Sequence, residues 1–218
     1  MLPSRSAVQH NHIRRTPMLT LHHLNYSRSI RVLWLLEELG IEYDLVKYER
    51  DANFRAPPEL KAIHPLGKAP VLVDGDLTLA ESAPILSYID QRYGDRRFSP
   101  PVDTDAAAVH DEWLQYVESS AALPIMMTMF GKRMGGLPEG LTKFTGPEVT
   151  KTLDFIGAGV GDGPYLMGEQ LMLADIQMCY MLAIAESTGL LAEHLDVAAY
   201  LDRLRARPAF IAATEIGG

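Results

Sequence analysis

The sequence lacks most of the features of a secreted, redox or membrane protein. It has one cysteine, Cys179, among 218 residues. A single thiol excludes an internal disulfide, a CxxC redox site and a cysteine-built zinc site, and it fits a reducing compartment. No segment approaches the roughly 18 consecutive apolar residues of a membrane helix, and the start has no continuous apolar signal-peptide core. We therefore expect a cytoplasmic protein that does not enter a membrane.

The chain is also short of basic charge. Its 20 Lys and Arg residues face 28 Asp and Glu residues, which gives a net charge of -8. A dedicated nucleic-acid partner is disfavoured, because no cationic surplus is available to neutralise phosphates. No Walker A motif occurs, and the glycine-rich segment 157–163 lacks the last glycine of a dinucleotide fingerprint. Apolar residues at 47% and charged residues at 22% are typical of globular domains.

The first 17 residues have a composition of their own. They contain no acidic residue and carry Arg5, Arg14 and Arg15, a weak likeness to an organellar transit peptide. We interpret residues 1–17 as a disordered leader or extension. Met18 then stands where a natural first residue would, because regular structure is predicted immediately after it.

Residues 18–93 show strand and helix patterns in alternation. A short apolar strand at 19–24 precedes a helix at 28–39 that Gly40 ends, and a second strand follows at 41–48. Three prolines allow only a short helix or loop in 51–66. The run from Pro70 to Leu79 predicts a hairpin turning at Asp74-Gly75, and Ser82 is suited to cap a helix that reaches about Tyr93.

Strand patterns disappear after this point. Residues 94–103 combine glycine, proline and charge and form a candidate linker. Helical periodicity then covers 104–134, about 147–158, 173–188 and about 196–206. The sequence therefore predicts an all-helical domain over 104–218.

Three segments in register carry a family resemblance. The segments LTLHHLNYSRSIRVLWLLEELGIEY, HPLGKAPVLVDGDLTLAES and YLMGEQLMLADIQM resemble successive landmarks of the cytosolic glutathione transferases, in particular bacterial and fungal members with an SRS first loop. The resemblance covers roughly 18–210. It implies an α/β thioredoxin-like N-terminal domain at 18–93 that binds glutathione, joined to an all-α C-terminal helical bundle.

The resemblance also implies how glutathione is bound. The residue before the strand-entry proline Pro70, here Ala69, would exchange main-chain hydrogen bonds with the cysteinyl part of the tripeptide. Glu81 and Ser82 stand where a helix begins, and helix N-termini favour anions such as the γ-glutamyl carboxylate. Lys68, with His64 as a second choice, would meet the glycyl carboxylate.

Catalysis requires the glutathione sulfur as a thiolate, which a hydroxyl donor can stabilise. Ser27, at the end of the first strand, is the predicted donor. Tyr26 and Asn25 remain alternatives, because the family uses Ser, Tyr, Cys or Asn around this loop. Ser27 as a simple helix cap is a competing interpretation. No metal is expected.

The predicted function is conjugation of glutathione to a small hydrophobic electrophile, in a symmetric homodimer of the kind usual for the family. Two alternatives keep the same scaffold: a glutathione-dependent peroxidase or disulfide reductase, and a binding module without catalysis. Asp175 resembles the family's buried aspartate that caps the central helix. Five residues offer a soft apolar wall for the electrophile, although such residues more often belong to the core: Tyr116, Met126, Met127, Phe130 and Met134.

Overall fold

The computed structural model of the chain describes residues 19–218, so the predicted leader lies outside the described residues. Four strands form one sheet in the order β2-β1-β3-β4. Strands β1 and β2 are parallel, whereas β3 pairs antiparallel with both β1 and β4. The bounds are β1 Thr20–Leu24, β2 Asp44–Tyr48, β3 Val71–Asp74 and β4 Leu77–Ala80.

The predicted order of elements in this half is confirmed. Helix α1 spans Ser29–Leu39, the short α2 spans Leu60–Ile63, and α3 spans Ser82–Tyr93. Gly40 ends α1 at φ 63°, a left-handed conformation that glycine adopts without a Cβ clash. The parallel β1-α1-β2 unit and the β3-β4-α3 unit together give the thioredoxin-like arrangement.

The hairpin turns one residue later than the sequence predicts. Asp74 pairs with Leu77, so the two turn residues are Gly75 and Asp76 and not Asp74-Gly75. Asp74 stays in β3, where its carboxylate accepts hydrogen bonds from the hydroxyls of Tyr88 at 2.6 Å and Tyr93 at 2.5 Å. These tertiary contacts, which the local sequence does not reveal, explain the shift.

The second half contains helices and no named strand among the described residues. Helices α4 Asp105–Tyr116 and α5 Ala122–Arg133 run on through one π-helical turn at Val117–Ala121, where one continuous helix was predicted. Helix α6 covers Glu139–Val160 and so begins well before the predicted 147, because Pro147 lies inside the helix and does not start it. Helices α7 Leu173–Ser187 and α8 Leu195–Arg205 agree with the predicted ranges.

A last helix, α9 Pro208–Gly217, was not predicted. Its first residue is a proline, which suits the first turn of a helix, and α9 packs along α1. Trp34 and Phe210 meet edge to face, with ring centroids 5.1 Å apart. Arg207 donates two hydrogen bonds to the carboxylate of Glu38, at 2.5 and 2.8 Å. The end of the described chain is thus fastened to the first helix.

The connection between α3 and α4 contains no helix or strand but is not loose. Asp90, fully buried in α3, accepts hydrogen bonds from the Phe98 amide at 3.1 Å and the Ser99 hydroxyl at 2.6 Å. The Phe98 carbonyl then accepts one from the Leu173 amide at 2.9 Å. The division into domains at 18–93 and 104–218 with a linker at 94–103 stays a prediction.

Asp175 caps the central helix α7, as the resemblance implies. Its buried carboxylate accepts hydrogen bonds from the Leu166 amide at 2.9 Å, the Met172 amide at 2.8 Å and the Tyr200 hydroxyl at 2.6 Å. One side chain therefore joins the start of α7, the loop before it and α8. Across residues 19–218, no helix is long and apolar enough to span a membrane.

We expect Asp175→Ala to destabilise the protein by about 3 kcal/mol or more, because it leaves two buried donors and one partly buried donor without an acceptor. Tyr200→Phe removes one of the same hydrogen bonds and should cost only about 1 kcal/mol. Urea denaturation of both variants measures the difference. Equal losses would show that Asp175 does not act as the common acceptor.

Candidate active site

The loop between β1 and α1 carries the predicted catalytic residues. Ser27 is buried, and its hydroxyl lies 2.7 Å from the Leu24 carbonyl and 2.8 Å from the Ser29 hydroxyl. Ser29 also donates its amide to Ser27 Oγ at 3.2 Å and lies 3.0 Å from Nδ1 of His23. Ser27 therefore belongs to a buried polar network at the root of the loop, and it lines neither of the two cavities described below.

The two alternative residues differ in exposure. Tyr26 is 67% exposed, adopts a positive φ of 50° and stacks on Phe54 with centroids 6.3 Å apart. Its carbonyl accepts hydrogen bonds from Arg50 at 2.8 Å and from the Tyr180 hydroxyl at 3.1 Å. The Asn25 side-chain oxygen is buried without a hydrogen-bond partner among residues 19–218. Of these two residues, Tyr26 lines the second cavity described below and Asn25 does not.

The predicted glutathione-binding residues come together around one cavity of about 300 Å³, a volume at the lower end of small-ligand sites. The Ala69-Pro70 peptide bond at its edge is cis. His64 does not line this cavity: its Nδ1 accepts a hydrogen bond from the Leu66 amide at 3.3 Å, beside the end of α2. The cavity is lined by Arg28, Leu66, Lys68, Ala69, Pro70, Ala80, Glu81, Ser82 and Glu118.

The start of α3 forms one wall of this first cavity. Glu81 has a φ of 73°, a left-handed conformation that is rare outside glycine, and its exposed side chain makes no cap hydrogen bond. Ser82 is the first helical residue and not the cap; its hydroxyl accepts a hydrogen bond from Arg31 Nη1 at 3.1 Å. Because Arg31 donates, the Ser82 hydroxyl keeps its own hydrogen for a ligand. The free amides of the first helical turn add partial positive charge.

A partly buried ion pair, between the buried Arg31 and the partly exposed Glu118, stands behind this wall. Arg31 is 1% exposed, and its Nη1 lies 2.6 Å from Glu118, which also accepts a hydrogen bond from Arg28 at 2.8 Å. Burial lowers the pKa of Arg31 to about 10 despite the charge of Glu118, so Arg31 remains a cation at neutral pH. Burial alone would raise the pKa of Glu118, but the two arginines outweigh it and hold that pKa below its ordinary value.

A second cavity, of about 520 Å³, lies on the other side of Arg28, which lines both. Of the predicted apolar wall, only Met126 and Phe130 line it. Tyr116 instead packs on Trp113, and Met134 is 71% exposed. The second cavity is lined by Tyr26, Arg28, Arg50, Phe54, Met126, Met129, Phe130, Arg133, Tyr180, Ile184 and Ser187.

Sequence reasoning missed the charged residues Arg28, Arg31, Arg50 and Glu118. One signal was available: Arg31 falls on the apolar stripe of α1, four residues before Leu35, and a charge at such a position requires a buried partner. Nothing local identifies that partner, because Glu118 is 87 residues away along the chain.

Two further features lie apart from this site. A cavity of about 780 Å³ lies between α5, α6 and the segment 189–194. Within residues 19–218, no three His, Cys, Asp or Glu side chains come together as a metal site would require.

Comparison with known proteins places this geometry in a family. Residues 15–91 match the family model described as the glutathione S-transferase N-terminal domain. Glutathione S-transferase 1 of Saccharomyces cerevisiae is 35% identical over 78% of this chain and 81% of its own length. The crystal structure of a glutathione S-transferase from Actinobacillus pleuropneumoniae is 35% identical with a TM-score of 0.83, covering 92% of this chain and 93% of that one.

A more distant structure shares the fold. It is a glutathione transferase homologue from Sulfitobacter with bound glutathione, 24% identical, with a TM-score of 0.74 over 92% of this chain and 99% of that one. The identity and coverage of the yeast relative decide the family. The chain belongs to the glutathione S-transferases, a family of enzymes.

We expect Glu118→Gln to lower the free energy of unfolding by about 1–2 kcal/mol at neutral pH, less than for a fully buried pair because the Glu118 side chain is 34% exposed. The folded-state pKa of Glu118 is depressed, so its contribution is present above the unfolded-state pKa and is lost as the pH falls through the folded-state value. Urea unfolding followed from neutral to acidic pH should show the gap between variant and native protein closing.

Glu148→Gln is the matched control, because Glu148 pairs at 2.7 Å with an exposed lysine, Lys151. That exposed pair should contribute little at any pH. A gap for Glu118→Gln that does not change on acidification would contradict the assigned ion pair.

Proposed function

We propose that the chain conjugates the thiolate of glutathione to small hydrophobic electrophiles, with glutathione in the first cavity and the electrophile in the second. One observation carries the proposal: five residues predicted from the family resemblance surround a single cavity, which shares Arg28 with an apolar and aromatic cavity beside the β1-α1 loop. Family membership supports the choice of glutathione, as does the bound glutathione in the Sulfitobacter relative.

The first cavity offers complementary groups for the tripeptide. The γ-glutamyl carboxylate would accept hydrogen bonds from the Ser82 hydroxyl and the first amides of α3, with the buried charge of Arg31 behind them. Glu81 would pair with the γ-glutamyl ammonium. The backbone of Ala69 would bond the cysteinyl unit, and Lys68 would meet the glycyl carboxylate.

The sulfur would then lie near Arg28, where the two cavities meet. Ser27 is our choice of thiolate donor. Its oxygen accepts a hydrogen bond from the Ser29 amide, and rotation about the Cβ–Oγ bond would turn the hydroxyl hydrogen from the Leu24 carbonyl to the sulfur. Lowering a thiol pKa by about two units requires roughly 2.7 kcal/mol, within the range of a charge-assisted hydrogen bond with help from nearby amides and Arg28.

The reacting thiol has to come from glutathione. Cys179, the one cysteine of the chain, is buried, and burial raises the pKa of its thiol to about 12. A peroxidase or disulfide reductase on this scaffold would need two glutathione molecules. Comparing the rates at which the protein reduces peroxides and conjugates aryl halides distinguishes these activities from the proposed one. A homodimer stays a prediction.

For Ser27→Ala we expect kcat to fall about 100-fold with little change in glutathione affinity, because the hydroxyl acts on the developing thiolate. The pH at which the rate rises with thiol ionisation should move up by about two units. Steady-state conjugation of an aryl halide across pH measures both quantities.

Ser29→Ala is the control, because Ser29 belongs to the same buried network and supports the loop without being the assigned donor. An equal pH shift in both variants would reduce Ser27 to a structural role. An unchanged profile for Ser27→Ala would move the role to Tyr26, to Asn25 or to backbone amides.

Ser82→Ala should weaken glutathione binding about tenfold and leave kcat nearly unchanged, because it removes a hydrogen bond to a charged group that is present before and during the reaction. Calorimetric titration with glutathione measures the change. Ser87→Ala, on the same helix but outside the first cavity, is the control. Equal affinity of the Ser82 variant and the native protein would reject the assigned carboxylate site.

A further inference from the structure

The second cavity combines aromatic walls with an excess of positive charge. Three arginines line it, Arg28, Arg50 and Arg133, and no acidic side chain does. This excess is local, because the whole chain carries a net charge of -8. A cavity for neutral apolar molecules gains nothing from such charges, whereas an anion is attracted by them.

Two of these arginines converge on one aromatic ring. The guanidinium carbons of Arg50 and Arg133 lie 4.5 and 5.2 Å from the ring centroid of Phe54. Both charges lie against the same ring, and the charge of Arg133 acts on Arg50. Burial lowers the pKa of Arg50 and the neighbouring charge of Arg133 lowers it further, whereas the electrostatic influence of Tyr180 raises it. An anion bound in the cavity that both arginines line would offset the unfavourable interaction between their charges.

Two of the three arginines are already hydrogen-bonded within the protein, and the third is available to bind a ligand. Arg28 is committed to Glu118, and Arg50 donates to the backbone carbonyls of Asn25, Tyr26 and Phe54. These carbonyls satisfy donors of Arg50 but do not neutralise its charge.

Arg133 lies in the last turn of α5. Its side chain makes no hydrogen bond and no ion pair with any residue of the described range 19–218. Its planar guanidinium is therefore free to bind a carboxylate or another oxyanion with two parallel hydrogen bonds.

The rest of the cavity suits an aromatic ring. Tyr26 and Phe54 stack at an interplanar angle of 27°, and Phe130, which also lines the cavity, is 46% exposed. Met126 and Met129 add flexible apolar surface. An aromatic body would lie against these side chains while an acidic substituent reaches Arg50 and Arg133.

We propose that the electrophile of this enzyme is an aromatic molecule with an acidic group, bound in the second cavity with that group between Arg50 and Arg133. This inference rests on the proposed function, since it names the class of molecule that the same site accepts. For an aryl halide, the sulfur of the thiolate forms a bond to the ring carbon, chloride leaves with the electron pair of its bond, and the thiol proton goes to solvent.

Two matched aryl chlorides test the class. One is a chloronitrobenzoate, and the other is the neutral chloronitrobenzamide with the same substitution pattern. Each kcat/KM is divided by the uncatalysed rate constant with glutathione, so that intrinsic reactivity cancels. We expect the corrected ratio of carboxylate to amide to be about fivefold or more in the native enzyme and to fall as ionic strength rises.

Variants of Arg133 assign the effect to the cavity. Arg133→Gln should lower the corrected ratio about fivefold, and Arg133→Glu should bring it below one. Arg92→Gln, an exposed arginine on α3 outside the second cavity, makes the same change of net charge and should leave the ratio as it is. A ratio near one in the native enzyme, or the same ratio in all variants, would overturn the proposal.

A binding measurement separates this inference from the proposed function. Nitrobenzoate and nitrobenzamide without the chlorine cannot be conjugated, and their dissociation constants from the glutathione-loaded enzyme are measured by calorimetry. If nitrobenzoate binds more tightly than nitrobenzamide and the difference depends on Arg133, the preference for an acidic aromatic molecule is supported. Failure of both aryl chlorides to react would then count against conjugation and not against this preference. Equal turnover and equal binding of the charged and neutral probes would leave conjugation standing and reject the acidic class.

Discussion

The guanidinium of Arg31 is a full positive charge enclosed by protein, and the candidate site is built around it. Removing such a group from water costs several kcal/mol unless an opposite charge and hydrogen bonds compensate. Compensation comes from Glu118 in the π-helical turn and from Ser82 at the start of α3. Three segments that are far apart in the sequence are therefore held in one place by one side chain.

The π-helical turn has a part in this constraint. A π turn accommodates one extra residue and so offsets the side chains on either side of it around the helix axis. Glu118 occupies this turn and faces both Arg28 and Arg31. The helical half thus supplies the counter-charge for a cation on α1, and the wall of the first cavity depends on packing between the two halves of the chain.

Local patterns predicted those parts of the fold whose causes are local. The apolar spacing of α1 with Gly40 and the nearly uniform apolar character of α7 marked both helices closely. Two prolines mark the places where the predicted helices differ from the structure. Pro147 lies inside α6, and Pro208 begins a helix that the sequence pattern did not show. Helix α9 depends on its contacts with α1, and a sequence window of ten residues does not contain that information.

The candidate site also has a part that the sequence predicts and a part that only the fold brings together. Lys68, Ala69, Glu81 and Ser82 lie in two short motifs whose order is visible in the sequence, and the structure places them around one cavity. His64 stands in the same motif, but its ring turns to the end of α2. The basic lining of the second cavity brings together residues from the loop after β2, from α5 and from the β1-α1 loop, so no single segment reveals it.

The position of α9 has a mechanical consequence. Its last turn rests against the ring of His23, since a Cβ added to Gly217 would lie 3.0 Å from Nε2, and His23 leads through Ser29 to Ser27. The far terminus of the described chain therefore braces the root of the β1-α1 loop. Displacing α9 would remove this support from the β1-α1 loop without changing a residue that lines either cavity. The last helix thus stabilises the position of Ser27, from which it is remote in sequence.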